Sequence, residues 1–519
     1  MKKRKLAVII AAFNASLAVA GGLLTNTNQS VHFLRNPARD ASTSIDAVYT
    51  NPAALIKLEN GLHFSINNQS AFQTRTITST YAPFAFNGGS DTKEFEGKAS
   101  APIIPSVMGV YRVGDWALSG SISVVGGGGK ATFNHGLPSF EAQIAGLPAL
   151  LTGNGIPTTA YSVDQYMEGS SIIYGAQLGG TYKINEMFSA YAGFRLNIVS
   201  NGYTGHLKNI QINPNGTTMP ANTFFTAAAN QAQGAADQLN PVIAGDYGAS
   251  TLEQLVAAGV MPSASADALA QGLGVPKTTT VQDVHDGYVT AANTYNGYAS
   301  SVADKELDCT QSGWGVAPIL GFNFNYQDKL NVGVKYEFKT ALDVENKTEK
   351  DDTGMFGDGV NTPHDIPALL TIGASYKILP QLTASVGYHH FFDSDAEMAL
   401  IDNPDVPGEK IGKQKYAGST NEFLFGAEYQ INRMFLVSAG GQITKYGVEN
   451  DYQRDLSFAC DSYSVGLGGA VNVSPTVKIN IGYFWTTYSD YTKEPGGGTA
   501  KDVFFRTNKV FGAGVDFRF

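Results

Sequence analysis

Leu330-Asn331-Val332-Gly333-Val334-Lys335-Tyr336-Glu337-Phe338 is apolar at every second position, with small, polar or charged residues between. A period of two is the mark of a strand whose two faces meet different surroundings. The same pattern runs through Phe188 to Ile198 and through Val477 to Trp485, and it dominates the chain from Gly61 to Phe519. In a soluble sandwich such strands usually run about five or six residues. Here the runs approach ten, with Tyr326, Tyr336, Tyr376, Tyr388, Tyr429 and Tyr483 towards their ends. Long alternating strands with terminal aromatics describe a transmembrane barrel, with the apolar face to lipid, the polar face to the lumen and girdles at the interfaces. Closure removes the unpaired edges that lipid does not tolerate.

Strands are expected near 61–76, 103–113, 116–126, 168–183, 187–200, 313–326, 329–340, 366–378, 382–392, 421–431, 434–446, 462–473, 476–488 and 507–519. That makes fourteen, an even number as single-chain bacterial barrels require. Tight turns at Gly114-Asp115, Asn185-Glu186, Gln327-Asp328, Leu379 to Gln381, Asn432-Arg433 and Ser474-Pro475 alternate with long polar loops. This places the short turns on the periplasmic side and the long loops outside. The longest, about 201–312, is too long to be structureless. Ala-rich stretches near 223–239, 250–259, 264–272 and 279–303 read as helices, and Ser250-Thr251-Leu252-Glu253 reads as a capping box. The loop is either a self-packed cap or a landing groove for a greasy ligand.

Composition agrees with this class. Charged residues make up 15% of the 519 and there are 58 Gly, 25 Tyr and 29 Phe, while mean hydropathy is −0.10. Past the start, no stretch supplies the roughly 20 apolar residues of a spanning helix. Lys2, Lys3, Arg4 and Lys5, the apolar run Leu6 to Phe13 and Ala18-Val19-Ala20 form a signal peptide over residues 1–20. Its removal takes the net charge from −10 to −14, by loss of four cations. That balance gives no reason to propose a nucleic-acid partner. Cys309 and Cys460 form no CxxC or zinc spacing, and an exported pair is either a disulfide or two thiols.

Between the signal and the first strand, residues 21–57 are polar and irregular and carry Asn36-Pro37-Ala38 and Asn51-Pro52-Ala53. They are expected to fold back into the lumen as a plug, with Asn36, Pro37, Asn51, Pro52 and Ala53 as its gate residues. The barrel then occupies 58–519. Arg112, Arg195, Lys335, Glu337, Lys377, Glu428, Lys478, Asp516 and Arg518 should point inward, chiefly pairing with one another or with water.

Chemical motifs are few. His389 and His390 near Asp393 and Asp395 suggest a metal or haem site, but neighbours on a strand face opposite ways. Asp351, Asp352 and Asp358 lack the ligand order of an EF-hand. No nucleophile elbow, HExxH or phosphate loop is present, so neither catalysis nor a cofactor is expected. The run Gly126-Gly127-Gly128-Gly129 is either the start of an outer loop or a deliberate break in the wall.

With its plug motifs Ala41-Ser42-Thr43 and Asn51-Pro52-Ala53, fourteen strands, Ile104-Pro105 opening the second strand and C-terminal Phe519, the chain resembles the FadL/TodX-type outer-membrane transporters. The resemblance implies passive uptake of hydrophobic compounds such as long-chain fatty acids, and insertion into outer-membrane lipid by the barrel-assembly machinery with Phe519 as signal. It further implies plug gating and a sideways exit where a kink interrupts the third strand. A general polar porin or a receptor for haemin or another ligand is the alternative.

Overall fold

The computed structural model describes residues 22–398, 400–402 and 409–519. The expected signal peptide, residues 1–20, lies outside them. Fourteen strands close on themselves: β1 (Gly61–Tyr81), β2 (Thr92–Val113), β3 (Trp116–Phe133), β4 (Tyr161–Lys183), β5 (Phe188–Ile212), β6 (Lys305–Tyr326), β7 (Leu330–Glu337), β8 (Leu369–Leu379), β9 (Leu382–Phe391), β10 (Thr420–Gln430), β11 (Phe435–Lys445), β12 (Ser462–Ser474), β13 (Val477–Tyr488) and β14 (Ala500–Arg518). Each pairs antiparallel with its sequence neighbour, and β1 pairs with β14 from His63–Arg518 to Tyr81–Ala500. Phe519 extends that seam, its N–H donating to the Leu62 carbonyl at 2.8 Å.

The outer wall is apolar through the membrane zone, where Leu118, Ile122, Leu178, Phe194, Val386 and Ile481 are exposed. Tyr111, Trp116, Tyr182, Tyr326, Tyr376 and Tyr429 mark its lower edge beside the short turns. This belt identifies the barrel as transmembrane.

Seven strands are longer than their alternation suggests. β1 to β6 and β14 run 18–25 residues, against 8–13 for β7 to β13. Beyond the membrane zone their polarity inverts. On β5 the inward residues become Val199, Tyr203 and Leu207, while Ser200, Thr204, His206 and Lys208 face out. Water lies outside there, so the apolar face turns in. The second strand therefore begins at Thr92, not at Ile104-Pro105, and the long loop spans 213–304, not 201–312.

That loop contains α1 (Ala221–Val242), α2 (Leu252–Ala257), α3 (Ser263–Leu273) and α4 (Val281–Ser301), close to the expected positions. They pack on themselves around Leu239, Leu252, Leu255, Leu269 and Val284. The capping box sits one residue later than expected: Thr251 accepts from the Gln254 N–H at 3.2 Å, and Gln254 reaches back to the Thr251 N–H at 2.8 Å.

Candidate functional site

Residues 22–57 are almost wholly buried inside the barrel. Their structure is short: one helical turn over Val31–Arg35, another over Ala47–Thr50 and a 3-10 turn over Pro52–Lys57. Pro37 and Pro52 lack an N–H and limit helix growth. The Asn36 carboxamide accepts from the Ala38 N–H at 3.1 Å, turning the chain past Pro37.

A row of inward glycines makes room for this segment. Gly333, Gly373 and Gly387 are cross-strand partners. A Cβ on Gly373 would stand 2.5 Å from the Asp40 Cβ, and one on Gly387 2.2 Å from an Asp40 oxygen. Gly426 meets Asn36, Gly440 meets Pro37, and Gly482 and Gly512 meet Leu34 in the same way. In the sequence these glycines read only as small residues on the lumen face. Their registration across strands was the available signal.

Polar contacts fasten the segment to the wall. The Arg39 guanidinium binds Asp46 at 2.7 and 2.9 Å within the segment and Glu428 on β10 at 3.1 Å. Burial works against both charges, but each holds the other ionised: the Asp46 carboxyl lies well below the usual range and Arg39 above its own. Arg35 also binds Glu428. Arg195 forks onto Glu337 at 2.6 and 3.1 Å, and Lys335 links Glu337 to the Tyr49 carbonyl, at 2.6 and 2.7 Å. Asp516 meets His32 at 3.2 Å. The inward charges thus pair largely with the lumenal segment as well as with each other.

His389 and His390 do face opposite ways. His389 is buried, its ring nitrogens 2.9 Å from Asp40 and 2.8 Å from Glu422, so it clamps the segment to β9 and β10. Nothing local to His389 signals that partner, 349 positions away. Around Asn51-Pro52-Ala53, Asn51 donates to Asn323 at 2.9 Å. The Pro52 carbonyl accepts from Thr181 at 2.7 Å, and the Ala53 carbonyl from Ser189 at 2.6 Å. This triplet is bolted to β4, β5 and β6.

The glycine run lies within β3, not in a loop. Pairing between β2 and β3 stops at Ser106–Ser123 and resumes at Ala99–Ala131. Opposite, β3 keeps β4 only through two bulges, at Val124/Gly126 and Gly127/Gly129. Gly127 and Gly129 have φ of 76° and 78°, which disfavours any side chain. Into this break the lumenal segment inserts its own backbone. The Asn26 N–H donates to the Val125 carbonyl at 2.7 Å, and the Gly127 N–H to the Leu24 carbonyl at 3.2 Å. Gln29 donates to the Val124 carbonyl at 2.9 Å and accepts from Ser106 at 2.7 Å. Outside, Ile103 is 74% exposed beside the gap, an apolar rim turned to lipid.

Beneath the segment a polar cavity of about 580 Å³ opens between the short turns, lined by Arg39, Ser42, Lys57, Arg112, Lys377 and Glu428 among others.

No protein-family model matches the chain, and no curated protein does. Among solved structures, a Pseudomonas aeruginosa FadL homologue matches with a TM-score of 0.59 at 12% identity, over 96% of this chain and 100% of its own. The Pseudomonas putida toluene transporter TodX matches with a TM-score of 0.51 at 14% identity, over 98% and 100%. The chain therefore has the FadL/TodX-type fold.

Proposed function

We propose that this FadL/TodX-type barrel is an outer-membrane channel for the passive uptake of hydrophobic compounds, with residues 21–57 as its plug. Cargo enters from the extracellular side and leaves sideways between β2 and β3 once the plug backbone at Leu24–Asn26 withdraws. The observation that carries this reading is the break in the wall, into which a separate segment bonds its own backbone. A sideways exit suits greasy cargo: each buried CH₂ is worth about 0.8 kcal/mol, so an acyl chain or arene gains by passing into lipid instead of water. A general porin would need an open lumen, whereas here the lumen is filled by a fitted, buried segment. The solved relatives of this fold extend to a toluene transporter, which supports the hydrophobic class without choosing between fatty acids and arenes.

The test is uptake and growth of a deletion strain, with and without the restored gene, on fatty acids, aromatic compounds and haemin. Dependence on the protein for at least one apolar compound is expected. If no hydrophobic substrate depends on it, the transport reading falls.

A further inference from the structure

The connection between β11 and β12, residues 446–461, does not stay at the rim. Its two ends are held together at the neck, where the Tyr446 N–H donates to the Asp461 carboxylate at 2.9 Å. From there it crosses the lumen. A tight hairpin at its tip bonds Arg454 and Ser457 backbone to backbone, at 3.1 and 3.2 Å. Leu456, on that tip, is buried among Phe133, Met167 and Tyr203 of β3, β4 and β5, on the opposite wall. Asp455 there accepts from the Ser139 N–H at 2.9 Å. Gln453 and Ala459 bond to each other twice, at 2.8 and 2.9 Å, stiffening the two arms. Phe458 packs on Phe504 beneath the Arg75 guanidinium.

The underside of the crosspiece meets the plug. Tyr452 and Ala459 share one apolar cluster with Leu23, Leu24, Ala396 and Met398. Leu24 is the residue whose carbonyl bonds Gly127 across the wall break. The crosspiece therefore rests on Leu23 and on Leu24, the first residue of the plug's seal.

We propose that residues 446–461 are a second, extracellular-side closure of the channel, interlocked with the wall break through Leu23 and Leu24. Apolar cargo entering from outside displaces the crosspiece, which frees the leucines and loosens the seal on β3. The proposal rests on the uptake reading above for its cargo, but its mechanical part does not.

Cys460 lies in the crosspiece and is 1% exposed. Burial pushes its thiol up to about 11, so it should react slowly with a maleimide at neutral pH. In the full chain carrying Cys309→Ser, adding Leu23→Ser and Leu24→Ser should speed Cys460 labelling at least tenfold without any ligand. An unchanged rate overturns the interlock, whether or not the protein carries hydrophobic cargo. For the closure itself, Ser139→Cys with Asp455→Cys, in a Cys309→Ser, Cys460→Ser background, ties the tip to the far wall. Oxidation should lower proteoliposome uptake of a fluorescent fatty acid or arene at least tenfold, reversed by dithiothreitol. Equal uptake by the oxidised and reduced forms, with the reduced form active, overturns the closure. A reduced form that carries neither probe overturns the cargo step along with the uptake reading, and leaves the labelling result to decide the interlock. Heat-modifiable mobility on gels checks that each variant forms a barrel.

Discussion

Gly126→Ala probes the seal directly. The added Cβ would stand 2.3 Å from the Leu24 carbonyl oxygen and 2.7 Å from the Ile173 side chain. Ile173 can rotate, but the Leu24 carbonyl cannot stay. Its retreat breaks the Gly127–Leu24 bond and, with the adjoining backbone, the Asn26–Val125 bond. At about 0.5–1.5 kcal/mol each, loss of two backbone hydrogen bonds shifts the closed–open balance by about 1–3 kcal/mol. That is roughly 5- to 150-fold in the open population. The assay is uptake of an apolar fluorophore into proteoliposomes at limiting substrate, beside single-channel recording. Gly129→Ala is the control: it adds left-handed strain, at φ 78°, that Gly126 does not have, but its Cβ meets nothing nearer than Ala101 at 3.6 Å, so strain in the glycine run without the Leu24 contact is read there. Faster uptake in Gly126→Ala and not in Gly129→Ala is expected. Equal behaviour of the two variants would mean that the contact with Leu24 does not govern opening.

Asp40→Ala removes one of the two carboxylates on His389, and at about 1.5–3 kcal/mol for a hydrogen bond to a charged group the plug should loosen, seen as more frequent current bursts in planar bilayers. Wild-type current noise would show that the clamp is redundant. Asn51→Ala with Pro52→Ala should alter both uptake and conductance, because the triplet is fastened to three strands; wild-type values for both would reduce the plug to filler. Asp393, buried just above β9 and bonded by the Thr420 N–H at 3.0 Å, has its carboxyl raised to about 7 by burial. A raised carboxyl favours the folded state while protonated. Its contribution is therefore present at low pH and lost as pH climbs from about 4 to about 7, by up to about 4 kcal/mol. Asp393→Asn should flatten that part of the stability–pH curve in detergent; identical pH curves for variant and wild type would refute the assignment.

Period-two alternation was sufficient for the membrane zone of all fourteen strands, because lipid outside and polar lumen inside impose opposite demands on adjacent residues. It failed above the membrane. There β5 reverses its faces at Val199, and a pattern sought with apolar residues outward ends where the strand does not. The helices of the long loop were legible from Ala-rich composition and caps, since both act within a few residues.

The lumen was legible only in outline. That Asn51-Pro52-Ala53 belongs to a separate polar segment follows from local sequence. Which wall residues receive it does not, since Asn51 and Asn323 are 272 positions apart. The same holds for Asp40 with His389, for Leu24 with Gly127, and for Leu456 with Met167. By itself the sequence determined the barrel, its strand order and the presence of something to fill it, all consequences of nearest-neighbour pairing and of face polarity. Only the tertiary structure decided that Gly126-Gly127-Gly128-Gly129 is a break and not a loop. A glycine run permits either, and the choice is made by the backbone from the other end of the fold that comes to lie against it.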